Sequence, residues 1–269
     1  DLSKELIEKY DFKIIPFGVN LGDKFFYDGE ISPEEIFEYA DNNKTLPKTN
    51  AVNEEAFKEH FAKILNDYDA IIHFDISSEM SSAYQNAVNA SKNFKNVYVV
   101  DSRTLSTAIS LEAIYAKKLT ETMDDPAKIV ELVKNRIPAV QTSFIIERLD
   151  YLYKGGRCSG LALLGANLLK IRPEIEVLNG NMKNTEKFRG KMADCVTKYC
   201  RATLEKYNHP DKSVIFITHS VADKELVDAA KAVVSEYGFE NVYETTAGCT
   251  VSSHCGKNTL GILYINDAE

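Results

Sequence analysis

Short apolar runs alternate with longer amphipathic stretches along most of this chain. The run Ala70-Ile71-Ile72-His73-Phe74-Asp75-Ile76 is mostly apolar and bounded by polar residues, which predicts a buried strand. Val97-Tyr98-Val99-Val100 predicts a second strand, and residues 143–146 a third. Helical patterning separates them: a helix starting within 77–82 and running to about 93, a long helix over 105–120, and another opening at Asp125-Pro126. Earlier, residues 2–10 read as a helix and 14–19 as a strand. An irregular Gly- and Asp-containing stretch follows. Ser32-Pro33-Glu34-Glu35 is a capping box with proline at the first helical position, and Asn53 is a candidate N-cap for a helix over 54–65.

The second half changes character. Residues 175–178 and 182–188 flank Asn179-Gly180, a pair suited to the type I′ turn of a β-hairpin. A helix over 191–207, a strand over 214–218, a helix over 223–237 and strands over 241–245 and 260–265 complete the pattern. The expected fold is α/β with two domains. An N-terminal, mostly parallel sheet flanked by helices takes residues 1–158, and a smaller C-terminal α+β domain takes 159–269, with the boundary within 155–170.

Composition narrows the function more by exclusion than by assertion. The 269 residues carry a net charge of −8, a poor balance for neutralising phosphates, so no nucleic-acid partner is expected. No run of about 18 apolar residues and no signal-peptide core is present, so a cytoplasmic location is expected, with transient membrane contact at most. The chain lacks a starting Met, and upstream residues are expected to precede it. Cys158, Cys195, Cys200, Cys249 and Cys255 are odd in number and include no CxxC pair, which argues for reduced thiols rather than disulfides or a metal site. Cys195 and Cys200 fall on a predicted helix, as core residues. Val251 and Asn258 break the phosphate-loop pattern ending at Gly256-Lys257, and neither a dinucleotide fingerprint nor a nucleophile elbow occurs. His254 and Cys255, taken as neighbours on a strand, would point to opposite faces and form no dyad.

Four segments place hydroxyl, imidazole or cationic groups beside flexible backbone: Pro47-Lys48-Thr49-Asn50, the run from Ser77 to Tyr84, Lys154-Gly155-Gly156-Arg157, and Ser253-His254-Cys255-Gly256. The second lies between a strand's carboxyl end and a helix start, where open α/β sheets bind ligands and free N–H groups receive anions. Its serines can equally serve as helix caps.

Taken together, these segments resemble the signature of the DegV family. Thr49-Asn50, Ser77-Ser78-Glu79-Met80-Ser81-Ser82-Ala83-Tyr84, Leu152-Tyr153-Lys154-Gly155-Gly156-Arg157 and His254-Cys255-Gly256 stand in that family's order and spacing. Phe188-Arg189-Gly190 and Val99-Val100-Asp101-Ser102 match it as well. The resemblance spans nearly the whole chain. It implies a protein that holds a long-chain fatty acid in a closed apolar pocket between two domains, with no cofactor. It also implies that the carboxylate is presented to a separate fatty acid kinase subunit resembling the dihydroxyacetone kinases. By motif match, Thr49, Ser81 and His254 hold the carboxylate, while Arg157, Arg189, Ser78 and Gly256 support the site or face the partner. The chain departs from the family pattern at Asn50, at Ser82-Ala83 and at Lys257-Asn258, and it lacks the family's usual N-terminal Thr-Ser-Asp strand. A lipid-sensing regulatory protein would need the same pocket. A Ser81/His254 acyl hydrolase is the enzymatic alternative.

Overall fold

A computed structural model describes residues 1–158 and 171–268. The architecture is mixed α/β, as the alternation of strands and helices predicts. After α1 (Lys4–Tyr10), the hairpin β1 (Gly18–Leu21) and β2 (Lys24–Tyr27) is joined on its other side by β3 (Lys48–Asn50) in an antiparallel sheet ordered β2-β1-β3. The strand expected at 14–19 therefore begins later, and Ile14 is exposed. Between β2 and β3 runs α2 (Pro33–Asn43), started by the Ser32/Glu35 capping box, and α3 (Glu54–Ile64) follows, capped by the Asn53 side chain on Ala56 N–H.

Among the N-terminal strands, parallel pairing links β4 (Ile71–Asp75) and β5 (Val97–Asp101), which α4 (Ala83–Ser91) connects. Two helices follow, α5 (Thr107–Leu119) and α6 (Pro126–Arg136), the latter capped by Asp125. The next strand, β6 (Val140–Ile145), which precedes the short helix α7 (Leu149–Lys154), does not join this pair. It enters a six-stranded sheet with β7 (Ile171–Leu178), β8 (Asn181–Arg189), β9 (Val214–Ser220), β10 (Asn241–Thr246) and β11 (Thr259–Ile265), ordered β10-β9-β11-β6-β7-β8. Only β9 and β10 run parallel there. So a strand from before residue 158 sits inside the sheet built by the residues after it. The boundary expected within 155–170 falls largely outside the described residues.

Alternation along β9 shows how the layers stack. Ile215 and Ile217 pack against α8 (Met192–Lys206) and α9 (Lys224–Ser235), in the cluster that also holds Cys195 and Cys200. Val214 and Phe216 face the opposite way, toward Ala108 and Leu111 of α5. On its other side α5 presents Ala116 to Val100 of β5 and to α6. A helix covered on two faces has no polar stripe to give it an amphipathic signature. The Asn179-Gly180 turn has positive φ at both residues, 52° and 83°, which a type I′ turn requires. Among the described residues, no helix is long and apolar enough to cross a membrane, and no cluster of three or more metal-ligating side chains occurs.

Beneath α8, β7 buries two carboxylates on one face. Glu176 accepts a hydrogen bond from Lys206 Nζ at 2.6 Å. Glu174 receives only Thr203 Oγ1 at 3.5 Å, and burial with Glu176 beside it pushes its carboxyl up to about 7. A group whose folded-state pKa is raised contributes stability below its unfolded value, here 4.5, and loses it as pH rises toward 7. Glu174→Gln should therefore remove this loss, so that its stability in urea unfolding rises relative to the wild type's between pH 5 and 8. Relative to the variant, the wild type should lose on the order of 2–3 kcal/mol across that interval. Parallel curves for the two proteins would contradict the assignment.

Candidate functional site

All four segments singled out by sequence contribute to the lining of one cavity of about 250 Å³, the first through Thr49 and the Gly-Gly-Arg segment through Arg157. Thr49 lies at the centre of β3, half-buried between the exposed Lys48 and Asn50. Asn50 turns away and donates through Nδ2 to Asn20 Oδ1 on β1. Ser81 sits in the turn between β4 and α4, where the N–H groups of Met80 and Ser81 donate to Ser77 O at 2.9 and 3.2 Å. Ser81 Oγ accepts from Ala83 N–H at 3.1 Å while the residue also lines the cavity, so one serine both stabilises the turn leading into α4 and forms part of the wall. Its own hydroxyl hydrogen remains available.

His254 and Cys255 lie on a short helix, α10 (Cys249–Cys255), and not on a strand as the sequence suggested. Successive helical residues are separated by about 100°, not 180°, and both side chains reach the cavity. The helix is anchored from a distance. Asp28, just past β2, accepts from the N–H groups of Cys249 and Thr250 at 2.8 and 2.7 Å. Gly248 allows that approach, because a Cβ there would lie 2.8 Å from Asp28 Oδ1. At the other end, Gly256 has φ 77° and packs against the Tyr151 ring.

The central contact is a hydrogen bond of 2.9 Å between Thr49 Oγ1 and His254 Nε2. Nδ1 of the same ring is buried without a partner. It faces Gly155 so closely that a Cβ there would come within 2.5 Å. Burial, followed by the nearby Arg157 guanidinium, lowers the His254 pKa to about 4 and keeps the ring neutral. Arg157 is exposed at the rim and donates through Nη1 to Gly155 O at 2.6 Å. Cys255 carries a thiol pushed up to about 12 by burial alone, which leaves it without thiolate character. His254 Nε2 is engaged by Thr49 rather than Ser81, so the nucleophile–base pair of a hydrolase is not formed.

Apart from the hydroxyls of Ser82 and Thr250, the rest of the lining is apolar. Ile76, Met80, Leu105, Met182 and Val251 belong to the cluster that continues into Ile146, Leu152 and Ile175. No carboxylate lines the cavity, and Arg157 is its only charged lining residue among those described. Ser78, Arg189 and Gly256 do not line it. Ser78 Oγ donates to Asp101 Oδ2 at 2.6 Å, and Arg189 is exposed at the end of β8, opposite Ile171. Lys257 lies 3.8 Å from Asp223, and Asn258, at φ 62°, donates through Nδ2 to Glu147 Oε2 at 2.7 Å. Asn tolerates the left-handed region better than other residues with a Cβ, which suits it to this corner. Sequence reasoning missed Asp28 and Thr250. Thr250 lies four residues before His254, a spacing that carries meaning only once residues 249–255 are known to be helical. A larger groove of about 480 Å³ runs beside β4 and α5, but none of the motif residues reaches it.

His254 should stay neutral far below the usual imidazole range. Its lowered folded-state pKa means that it contributes stability above pH 6.5 and loses it as pH falls toward 4. An NMR titration of its ring protons should show a midpoint near 4, and a midpoint near 6.5 would refute the buried, partnerless Nδ1.

Comparisons with known proteins follow from this geometry. The family model described as "Uncharacterised protein, DegV family" matches residues 1–267. The chain is 31% identical over 274 residues to a Thermotoga maritima protein named "Fatty acid-binding protein", covering 97% of this chain and 93% of that one. A solved structure described as a DegV lipid binding protein from Thermotoga maritima superposes with a TM-score of 0.84 at 27% identity, covering 100% and 96% of the two chains. A second structure from that organism, described as revealing fatty acid binding function, gives a TM-score of 0.84 at 28% identity, covering 99% and 95%.

Proposed function

The chain belongs to the DegV family, and we propose that it binds one long-chain fatty acid with the carboxylate at Thr49, Ser81 and His254 and the tail along the apolar wall. The observation that carries this reading is the composition of the cavity lining. Hydroxyls, a neutral imidazole and a rim arginine share the lining with a mainly apolar wall, and among the described residues no acidic side chain opposes an anion. Each buried methylene contributes about 0.8 kcal/mol, so a chain of about sixteen carbons offers on the order of 12 kcal/mol before association and ordering costs. The tail thus supplies most of the affinity and the polar groups fix the head. The fatty-acid binding named for the relatives points the same way.

The finer part of the proposal is that the protein acts in the cytoplasm as a substrate-binding subunit and not as an enzyme. It would present the carboxylate at the Arg157 rim to a separate, dihydroxyacetone-kinase-like subunit. Arg157 suits that role because its guanidinium is exposed while still lining the cavity. A cation there favours the charge that develops during phosphoryl transfer.

Protein purified from a bacterial host should carry about one long-chain fatty acid per chain, detected by mass spectrometry of a solvent extract. Folded protein that repeatedly yields no acyl species would overturn the binding reading. Acyl-phosphate should form only when this protein, fatty acid, ATP and the kinase subunit are mixed. Arg157→Ala should lower that turnover by about tenfold or more while changing fatty-acid affinity little. Acyl-phosphate formed without the kinase would contradict the carrier role.

A further inference from the structure

The donors around the cavity can be counted. A neutral imidazole carries one N–H and a threonine one O–H, and one of those two hydrogens is consumed in the Thr49–His254 bond. With the ring hydrogen on Nε2, the hydrogen left over is that of the Thr49 hydroxyl; with it on Nδ1, the one left over faces Gly155. Ser81 has one more, because its oxygen accepts from Ala83 while its hydrogen stays free. Besides the exposed Ser82 hydroxyl, that makes at most two neutral donors for a carboxylate with about four acceptor positions, and a carboxylate taken out of water needs its hydration replaced.

One further buried hydroxyl lies on the same wall. Thr250 lines the cavity, and its Oγ1 is buried with no hydrogen-bond partner. It lies four residues before His254 on α10, hence on the same face and about one turn away. Its backbone is fixed, because Thr250 N–H donates to Asp28 Oδ2. Leaving a hydroxyl buried and unpaired is unfavourable for the folded chain by itself. Nothing in the packing of α10 requires an oxygen at this position, since valine has the same shape.

We infer that Thr250 is a specificity-determining residue of this site, whose hydroxyl donates the third neutral hydrogen bond to the ligand's carboxylate. The inference rests on the fatty-acid reading and deepens it. The unpaired hydroxyl of the ligand-free protein becomes paired when an anionic head group enters, and a head group without negative charge gains less from it. Thr250 thereby helps the cavity to distinguish an acid from an alcohol of equal chain length.

The test uses the full chain, stripped of lipid, as wild type, Thr250→Val and Thr250→Ser, titrated with hexadecanoic acid and with hexadecanol. Thr250→Val should weaken binding of the acid by about tenfold or more and of the alcohol by less than about twofold. Thr250→Ser, which keeps the hydroxyl, should bind the acid nearly as the wild type does. Lipid-free Thr250→Val should melt no lower than wild type, because it loses an unpaired polar group. Unchanged affinity of Thr250→Val for the acid, or equal losses for acid and alcohol, would overturn the inference while leaving the fatty-acid reading intact. A lower melting temperature of the lipid-free variant would do the same, by marking an internal structural bond. If wild-type protein binds neither ligand, the fatty-acid reading fails and this inference with it.

Discussion

The hydrogen bond between Thr49 and His254 joins residues 205 apart in the chain, and the candidate site is organised around letting it form. It requires β3 to be held at a fixed place, which β1 does through their antiparallel register. It requires α10 to be held too, and Asp28 does this from the other end of the chain. It requires the imidazole to come closer to a backbone than any Cβ would allow, and Gly155 provides that room. A ring placed so deep gives up its charge, because the dry surroundings penalise the imidazolium. Neutrality then limits what His254 can give. It orients Thr49 and shares one hydrogen with it, so a carboxylate bound as proposed would need its remaining partners elsewhere on the wall.

Glu174 and His254 perturb stability in opposite senses. The buried carboxyl is held protonated toward neutral pH, whereas the buried imidazole is held unprotonated into the acid range. Between about pH 4.5 and 6.5 the folded chain keeps a proton at Glu174 that the unfolded chain releases, and lacks one at His254 that the unfolded chain binds. The two linkages offset one another there. A nearly flat stability profile in that range is therefore compatible with two strongly perturbed groups, which single substitutions separate.

Features with local causes could be read from the sequence. The Ser32 capping box, the Asn53 and Asp125 caps and the Asn179-Gly180 turn each depend on a few adjacent residues, and each stands where the pattern placed it. The allegiance of β6 could not be read, because an apolar strand pairs equally well in either sheet and its partners β7 and β11 come later in the chain. The helix at Cys249–Cys255 was hidden for a similar reason. Its seven residues include Thr and Val, weak helix formers, and its cap is supplied by Asp28, 221 positions away from Cys249. Of the residues suggested by motif, Thr49, Ser81, His254 and Arg157 share the cavity. Ser78 and Arg189 have the right chemistry but point elsewhere: Ser78 to Asp101, and Arg189 to solvent at a strand end.

The tip of the β7–β8 hairpin is tethered at both of its turn residues. Ser77 Oγ donates to Gly180 O at 2.8 Å, and Arg103 donates through Nη2 to Asn179 O. A Cβ at Gly180 would sit 2.6 Å from Ser77 Oγ, so glycine is needed for this closeness as well as for the turn. Met182, two residues beyond, forms part of the cavity wall, and the Ser77 turn continues into Ser81 on the same cavity. Two walls of the cavity are thus fastened to each other at a point outside it. Loosening this wall requires parting both bonds together, which makes its motion a rare concerted event rather than the fast fraying of a free hairpin tip. Residence time and affinity are then set by different parts of the molecule. On the proposed reading, the lining would decide how strongly a tail is held, and the tether would influence how often it has an opportunity to leave.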